Sequence, residues 1–162
     1  MKIRPAEDRD LSGIQAIWNP IIRDTTITFA SDQRDAIAIA AMIAARRAAG
    51  REFLVAEDGD AILGFVTYEQ FRAGNGYAHA MEHTVMVSPV ARGRGVGGAL
   101  MAAIESHARD GGAHCMIAGV SAENAAGIVF HERIGYAHVA RIPQVGRKFD
   151  RWLDLVLMQK FL

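Results

Sequence analysis

Apolar positions along the chain change their period several times, and each change predicts an element. Lys2–Arg4 fits a short first strand. Leu11, Ile14, Trp18, Ile21 and Ile22 then recur at helical spacing. Asp8 or Asp10 is placed to cap that helix, and Pro20 is expected to end or kink it. A second helix fits about 32–49, with Ile39, Met42 and Ile43 inward, Arg46 and Arg47 in its last turn and Gly50 as its stop. Phe53–Glu57 reads as a strand, Asp58-Gly59-Asp60 as a hairpin turn and Ile62–Phe71 as the returning strand. Gly74-Asn75-Gly76 breaks the chain again before a strand over His79–Val87. Short connections make these three strands an antiparallel meander.

The second half reads differently. Leu100, Ala103, Ile104, His107 and Ala108 stripe a helix from about 95 to 110, which Gly111-Gly112 ends. Cys115–Val120 is a continuous apolar strand. Asn124 is placed to cap a helix reaching about Ile134, with Gly135 as terminator. Ala137–Ile142 and Trp152–Gln159 make a final strand pair. Residues 83–120 form a strand–helix–strand unit, so its two strands run parallel through a right-handed crossover. The expectation is one α/β domain over residues 1–162, with a mixed, mostly antiparallel central sheet flanked by helices.

Composition narrows the class. At 51% hydrophobic and 22% charged, the 162-residue chain is ordinary for a globular domain. Its formal net charge is zero, which argues against nucleic acid or anionic lipid as partner. Cys115 is the one cysteine and sits in an apolar run, so a buried strand thiol is expected and a reducing compartment fits. No apolar run approaches the roughly 20 residues of a membrane span, and the N-terminus lacks the apolar core of a signal peptide. A cytoplasmic protein is expected.

Candidate chemistry concentrates in Glu82-His-Thr-Val-Met-Val-Ser-Pro-Val-Ala-Arg-Gly-Arg-Gly-Val-Gly-Gly98. A strand runs into a glycine-rich turn and then a helix, which is how a chain gathers backbone N–H groups around a phosphate. Gly93, Gly95 and Gly98 satisfy G-x-G-x-x-G. A dinucleotide fold, however, wants that turn after the first strand of its unit and an acid at the end of the second. Here the turn is in mid-chain and the strand 115–120 closes without an acid. The nucleotide P-loop ending Gly-Lys-Ser/Thr is absent.

The other parse, Arg92-Gly93-Arg94-Gly95-Val96-Gly97, resembles the pyrophosphate loop of the GNAT superfamily of N-acetyltransferases, and the element order is similar over nearly the whole chain. Trp18-Asn19, Thr25-Thr26, Glu82-His83-Thr84-Val85, His131–Tyr136 and Gln144–Phe149 followed by Arg151-Trp152-Leu153-Asp154-Leu155 are similar to the phosphinothricin and methionine sulfoximine N-acetyltransferases of that superfamily. The chain departs from them at Met86, Gly127 and Asp150, where tyrosine, serine and glycine are common. The resemblance implies acetyl-CoA as co-substrate and no metal. The amides of Arg92, Gly93, Arg94, Gly95, Val96, Gly97 and Gly98 would hold its pyrophosphate, Val85, Met86 and Val87 would pair with the pantetheine arm like an added strand, and Asn124 would reach the cofactor. It further implies a small amino acid or analogue as acceptor, and a homodimer.

Acetyl transfer to an amine needs a base, a polarised carbonyl, a proton for the leaving thiolate and alignment. Glu82 is the candidate base, its alternative being a salt-bridged strand-edge carboxylate. His83 points to the other strand face and suits packing. His131, four residues before Gly135, is a candidate acid for the thiolate or else a packed histidine. Arg72 is the candidate fork for an acceptor carboxylate, with Lys148, Tyr77 and Phe29 as further pocket candidates. His79 and His83 are spaced for a metal, but no third ligand is evident. Two rivals stand beside this reading: acetylation of a protein N-terminus or a polyamine, and an acyl-CoA sensor without turnover. Only the enzyme needs Glu82.

Overall fold

In the computed structural model, which describes residues 1–162, seven strands form one sheet in the order β1-β2-β3-β4-β5-β7-β6. They are β1 (Lys2–Pro5), β2 (Phe53–Asp58), β3 (Ala61–Gln70), β4 (Ala80–Val87), β5 (Cys115–Ser121), β6 (Ala137–Lys148) and β7 (Arg151–Phe161). Four helices cover it: α1 (Leu11–Asp24), α2 (Ala36–Ala48), α3 (Val96–Asp110) and α4 (Ala125–Arg133). All neighbours are antiparallel except β4 and β5, which run parallel as the crossover requires.

Both faces of the sheet are covered, which is why β2 and β3 are apolar at nearly every position. Phe53, Val55 and Phe65 pack with Ile14, Trp18 and Ile22 of α1 and Ile39 of α2. Leu54, Ala56 and Val66 point the other way, onto Leu100, Met101 and Ile104 of α3. Cys115 is buried, as expected.

Three expectations are corrected. Pro20 lies inside α1, which runs on to Asp24, and the apolar contacts of Ile21 and Ile22 outweigh the one backbone bond proline removes. Neither Asp8 nor Asp10 caps α1 through its side chain. Asp10 instead takes a bidentate ion pair from Arg4 at 2.7 and 2.8 Å and the Glu7 amide at 2.8 Å, a buried pair that the sequence pattern does not show. β6 runs twelve residues, past Pro143, because it is an edge strand that needs no partner on its outer side. The β6–β7 turn holds Phe149 and Asp150 at φ 51° and 58°, a conformation that favours glycine at the second position. The Asp150 side chain is fully exposed there, so its extra charge lies in solvent.

The parallel pairing of β4 with β5 lasts only from Ala80↔Cys115 to Glu82↔Ile117. Beyond Glu82 the two strands part while β4 stays paired with β3 as far as Val87. The edge of β4 over residues 83–87 is therefore open to an added strand.

Candidate active site

Two cavities meet in the opening between β4 and β5. The first, about 440 Å³, runs along Val85, Met86 and Val87 to Arg92, Gly93 and Gly95–Gly98, with Asn124, Gly127, Phe130 and His131 on its far wall. The second, about 300 Å³, is lined by Glu82, His83, Glu69, Trp18, Phe29, Arg34, Arg46 and Gly119 among others. Val85, Met86, Asn124 and His131 border both.

The glycine-rich turn is an anion cradle by geometry. Gly93 and Gly95 take φ of 75° and 79°, a backbone that other residues adopt with strain. Gly95 opens α3, and the first amide of that helix to find a backbone partner is Ala99, on the Gly95 carbonyl at 3.1 Å. The amides of Gly93, Gly95, Val96, Gly97 and Gly98 donate to no backbone oxygen, at the positive end of a fifteen-residue helix. The amides of Arg92 and Arg94 make long bonds, 3.4 Å each, to the carbonyls of Pro89 and Ala91. The Arg92 side chain lines the cavity, whereas Arg94 reaches toward Asp58 at 3.5 Å. A diphosphate fits this donor set, and the open edge of β4 suits a pantetheine arm. Asn124 accepts from the Gly127 amide at 2.9 Å and caps α4. A Cβ on Gly127 would lie 2.4 Å from the Asn124 side chain, so glycine here makes room for the cap.

At the other end of the opening, the Glu82 carboxylate has no ion-pair or hydrogen-bond partner and faces the second cavity. Burial raises its pKa above the usual carboxylate range, and the negative charge of Glu69 adds to the shift. A carboxylate left without a partner in a partly dry cleft is a group whose proton affinity its surroundings have raised.

His83 and His131 are both buried and stack on each other, Nε2 to Nε2 at 3.2 Å. His131 Nδ1 lies 2.7 Å from the Gly127 carbonyl, which only accepts, so Nδ1 carries the proton. Nε2 of His131 then accepts from His83, and His83 Nδ1 is left buried without a partner. Burial lowers both pKa values, His83 further because His131 adjoins it. Both ring nitrogens of His131, the expected acid, thus have partners inside the protein, and the residue borders both cavities.

Two expected acceptor contacts lie elsewhere. Arg72 is exposed and stacks over Tyr77 at 5.3 Å, and neither lines the cavity. Lys148 is buried, and its ammonium donates to the carbonyls of Thr25 and Thr28 at 2.7 and 2.9 Å. It anchors the loop that brings Phe29 and Arg34 to the cavity. His79 bonds the Gly112 carbonyl at 2.7 Å, on the strand end away from the opening. Sequence reading missed Arg34, Arg46, Glu69 and Gly119. Only Gly119 left a signal, an isolated glycine within an apolar strand.

The acetyltransferase (GNAT) domain profile matches residues 3–157. The chain belongs to the GNAT acetyltransferase family. It is 39% identical to an L-methionine sulfoximine/L-methionine sulfone acetyltransferase of Pseudomonas aeruginosa, over 97% of this chain and 92% of that protein. An acetyltransferase from Salmonella typhimurium, solved with acetyl-CoA, superposes with a TM-score of 0.95 at 35% identity, covering 100% of this chain and 94% of the other. A ribosomal-protein-alanine N-acetyltransferase from Brucella melitensis gives 0.96 at 36% identity with both chains fully covered. The GNAT chain thus shares its whole fold with a family member that was solved with acetyl-CoA.

Proposed function

We propose that this acetyltransferase moves an acetyl group from acetyl-CoA to the α-amine of a small free amino acid or analogue, of the methionine sulfoximine, methionine sulfone or phosphinothricin type. One observation carries the reading: an unpaired carboxylate, Glu82, stands where the open β4 edge begins, with the amide cradle at the other end of the same strand. The thioester supplies the activated acetyl group. Glu82 takes a proton from the acceptor's ammonium, directly or through one water, and frees the lone pair for attack. Unpaired backbone groups along residues 83–87 hold the thioester arm in line and support its carbonyl oxygen. The amine's second proton and solvent, rather than His131, serve the departing thiolate.

Val139, Ile142 and Val145 of β6 and Trp152 of β7 present exposed apolar surface on the edge hairpin, which supports a homodimer. Use of acetyl-CoA and free amino acids fits the cytoplasm.

The test is thiol release from acetyl-CoA over a panel of free amino acids, polyamines and an N-terminal peptide. Turnover is expected on methionine sulfone, methionine sulfoximine or phosphinothricin. The Glu82→Gln enzyme is expected to bind acetyl-CoA as before while losing about 10²–10⁴-fold in kcat/KM. Turnover on the peptide alone would move the assignment to protein N-termini, and indifference to Glu82→Gln would remove the base.

A further inference from the structure

Arg34 lies between α1 and α2, outside any motif, yet it is held more firmly than its loop position suggests. The Asn19 side chain clamps its backbone from both sides, Oδ1 accepting from the Arg34 amide and Nδ2 donating to its carbonyl, each at 2.9 Å. Gln15 adds a third bond to the same carbonyl at 3.0 Å. The guanidinium lies over the ring of Trp18, 4.5 Å from its centre, and lines the cavity that Glu82 faces. Its Nε is buried with no hydrogen-bond partner. The cavity's other arginine, Arg46, is matched by Glu69 at 2.7 Å, whereas no carboxylate pairs with Arg34.

The charges of the cavity therefore read as one neutralised pair, one free carboxylate and one free guanidinium. That is the complement of a zwitterion. We infer that Arg34 is the specificity-determining cation of this enzyme, binding the acceptor's α-carboxylate while Glu82 receives its ammonium. This deepens the proposed reaction and rests on it. A guanidinium stacked on an indole is already oriented, so little freedom is lost when its donors take a carboxylate. A polyamine would meet like charge here, and a peptide N-terminus has no carboxylate beside its amine. Arg72, expected from sequence to fill this role, stands outside the cavity.

The experiment compares methionine sulfone with its carboxamide as acceptors, at saturating acetyl-CoA, in wild type, Arg34→Gln and Arg34→Lys. Wild type prefers the acid. In Arg34→Gln the KM for the acid rises about 10–100-fold, as expected for a lost charge-assisted hydrogen bond, while that for the carboxamide stays within about threefold. Arg34→Lys keeps part of the preference, and also reports should Arg34→Gln fail to fold. The KM for acetyl-CoA is unchanged throughout. Equal losses on acid and carboxamide, or an acid preference that survives both substitutions, would overturn the inference and leave the reaction standing. Wild-type enzyme inactive on both acceptors but active on a peptide would overturn reaction and inference together.

Discussion

Gly119 on β5 faces Glu82 across the opening, and a Cβ built on it would lie 2.8 Å from the Glu82 Oε1. The atom it would meet is the far end of a flexible side chain, so the fold can absorb the methyl but the proposed base must move. Gly119→Ala is expected to cut kcat about 10–100-fold, since displacements on the order of 1 Å cost that much in alignment. The melting temperature and the KM for acetyl-CoA should hardly change. Wild-type turnover in this variant would mean that Glu82 acts from another rotamer.

The pH profile follows from the same carboxylate. Burial and Glu69 raise the Glu82 pKa above its ordinary value of 4.5. A base works deprotonated, so kcat/KM rises with pH through that raised pKa and then levels as far as Glu82 is concerned. The limb should lie on the alkaline side of 4.5 and move toward lower pH in Glu69→Gln, which removes the second charge. A limb that stays in place in that variant would assign the titration to the acceptor amine.

Lys148 carries the third prediction. Its ammonium joins the β6–β7 end to the Thr25–Thr28 segment, and Gly146 lies so close to Phe29 that a Cβ would stand 2.3 Å from the ring. Lys148→Met keeps the apolar stem and removes both bonds, at a cost of about 2–3 kcal/mol. Because the released loop carries Phe29 and leads to Arg34, the acceptor KM should rise several-fold while the KM for acetyl-CoA holds. Paired thermal melts and steady-state kinetics check this. A rise in the acetyl-CoA KM alone would contradict the placement.

The contrast between Lys148 and the glycine-rich turn marks what the sequence could show. Cradle, meander and crossover are local matters, decided by glycines at positive φ, period-2 and period-3.6 patterns and short loops, and all three appear at nearly the expected residues. The cavity that Glu82 faces is assembled from α1, the 25–35 loop, α2, β3, β4, β5, α4 and β7. Whether an arginine reaches it depends on long-range packing. Arg34 does, because Asn19 and Trp18 hold it, whereas Arg72 folds back on Tyr77. Likewise nothing along the chain tells that His83 and His131, 48 residues apart, share a hydrogen bond.

That histidine pair predicts a loss of stability in acid. Both rings are buried neutral, with pKa values below the ordinary 6.5. In the unfolded chain each takes up a proton as pH falls through 6.5, and in the folded protein it does so only lower. The unfolded state therefore binds more protons below 6.5, and the stability these histidines hold above that pH drains away as pH falls toward their folded values. His83, held down to about 3, contributes at most about 1.4 kcal/mol per pH unit in that window, up to roughly 2 kcal/mol between pH 6.5 and 5, and His131 adds to the loss in the same direction. Urea denaturation at pH 7.5, 6.5, 5.5 and 5.0 measures the slope. Replacing one titrating ring, in His83→Gln, should reduce that slope, whatever the substitution costs at neutral pH. An unchanged slope would mean that His83 is already protonated when folded, and that the bond to His131 Nε2 is made by an imidazolium.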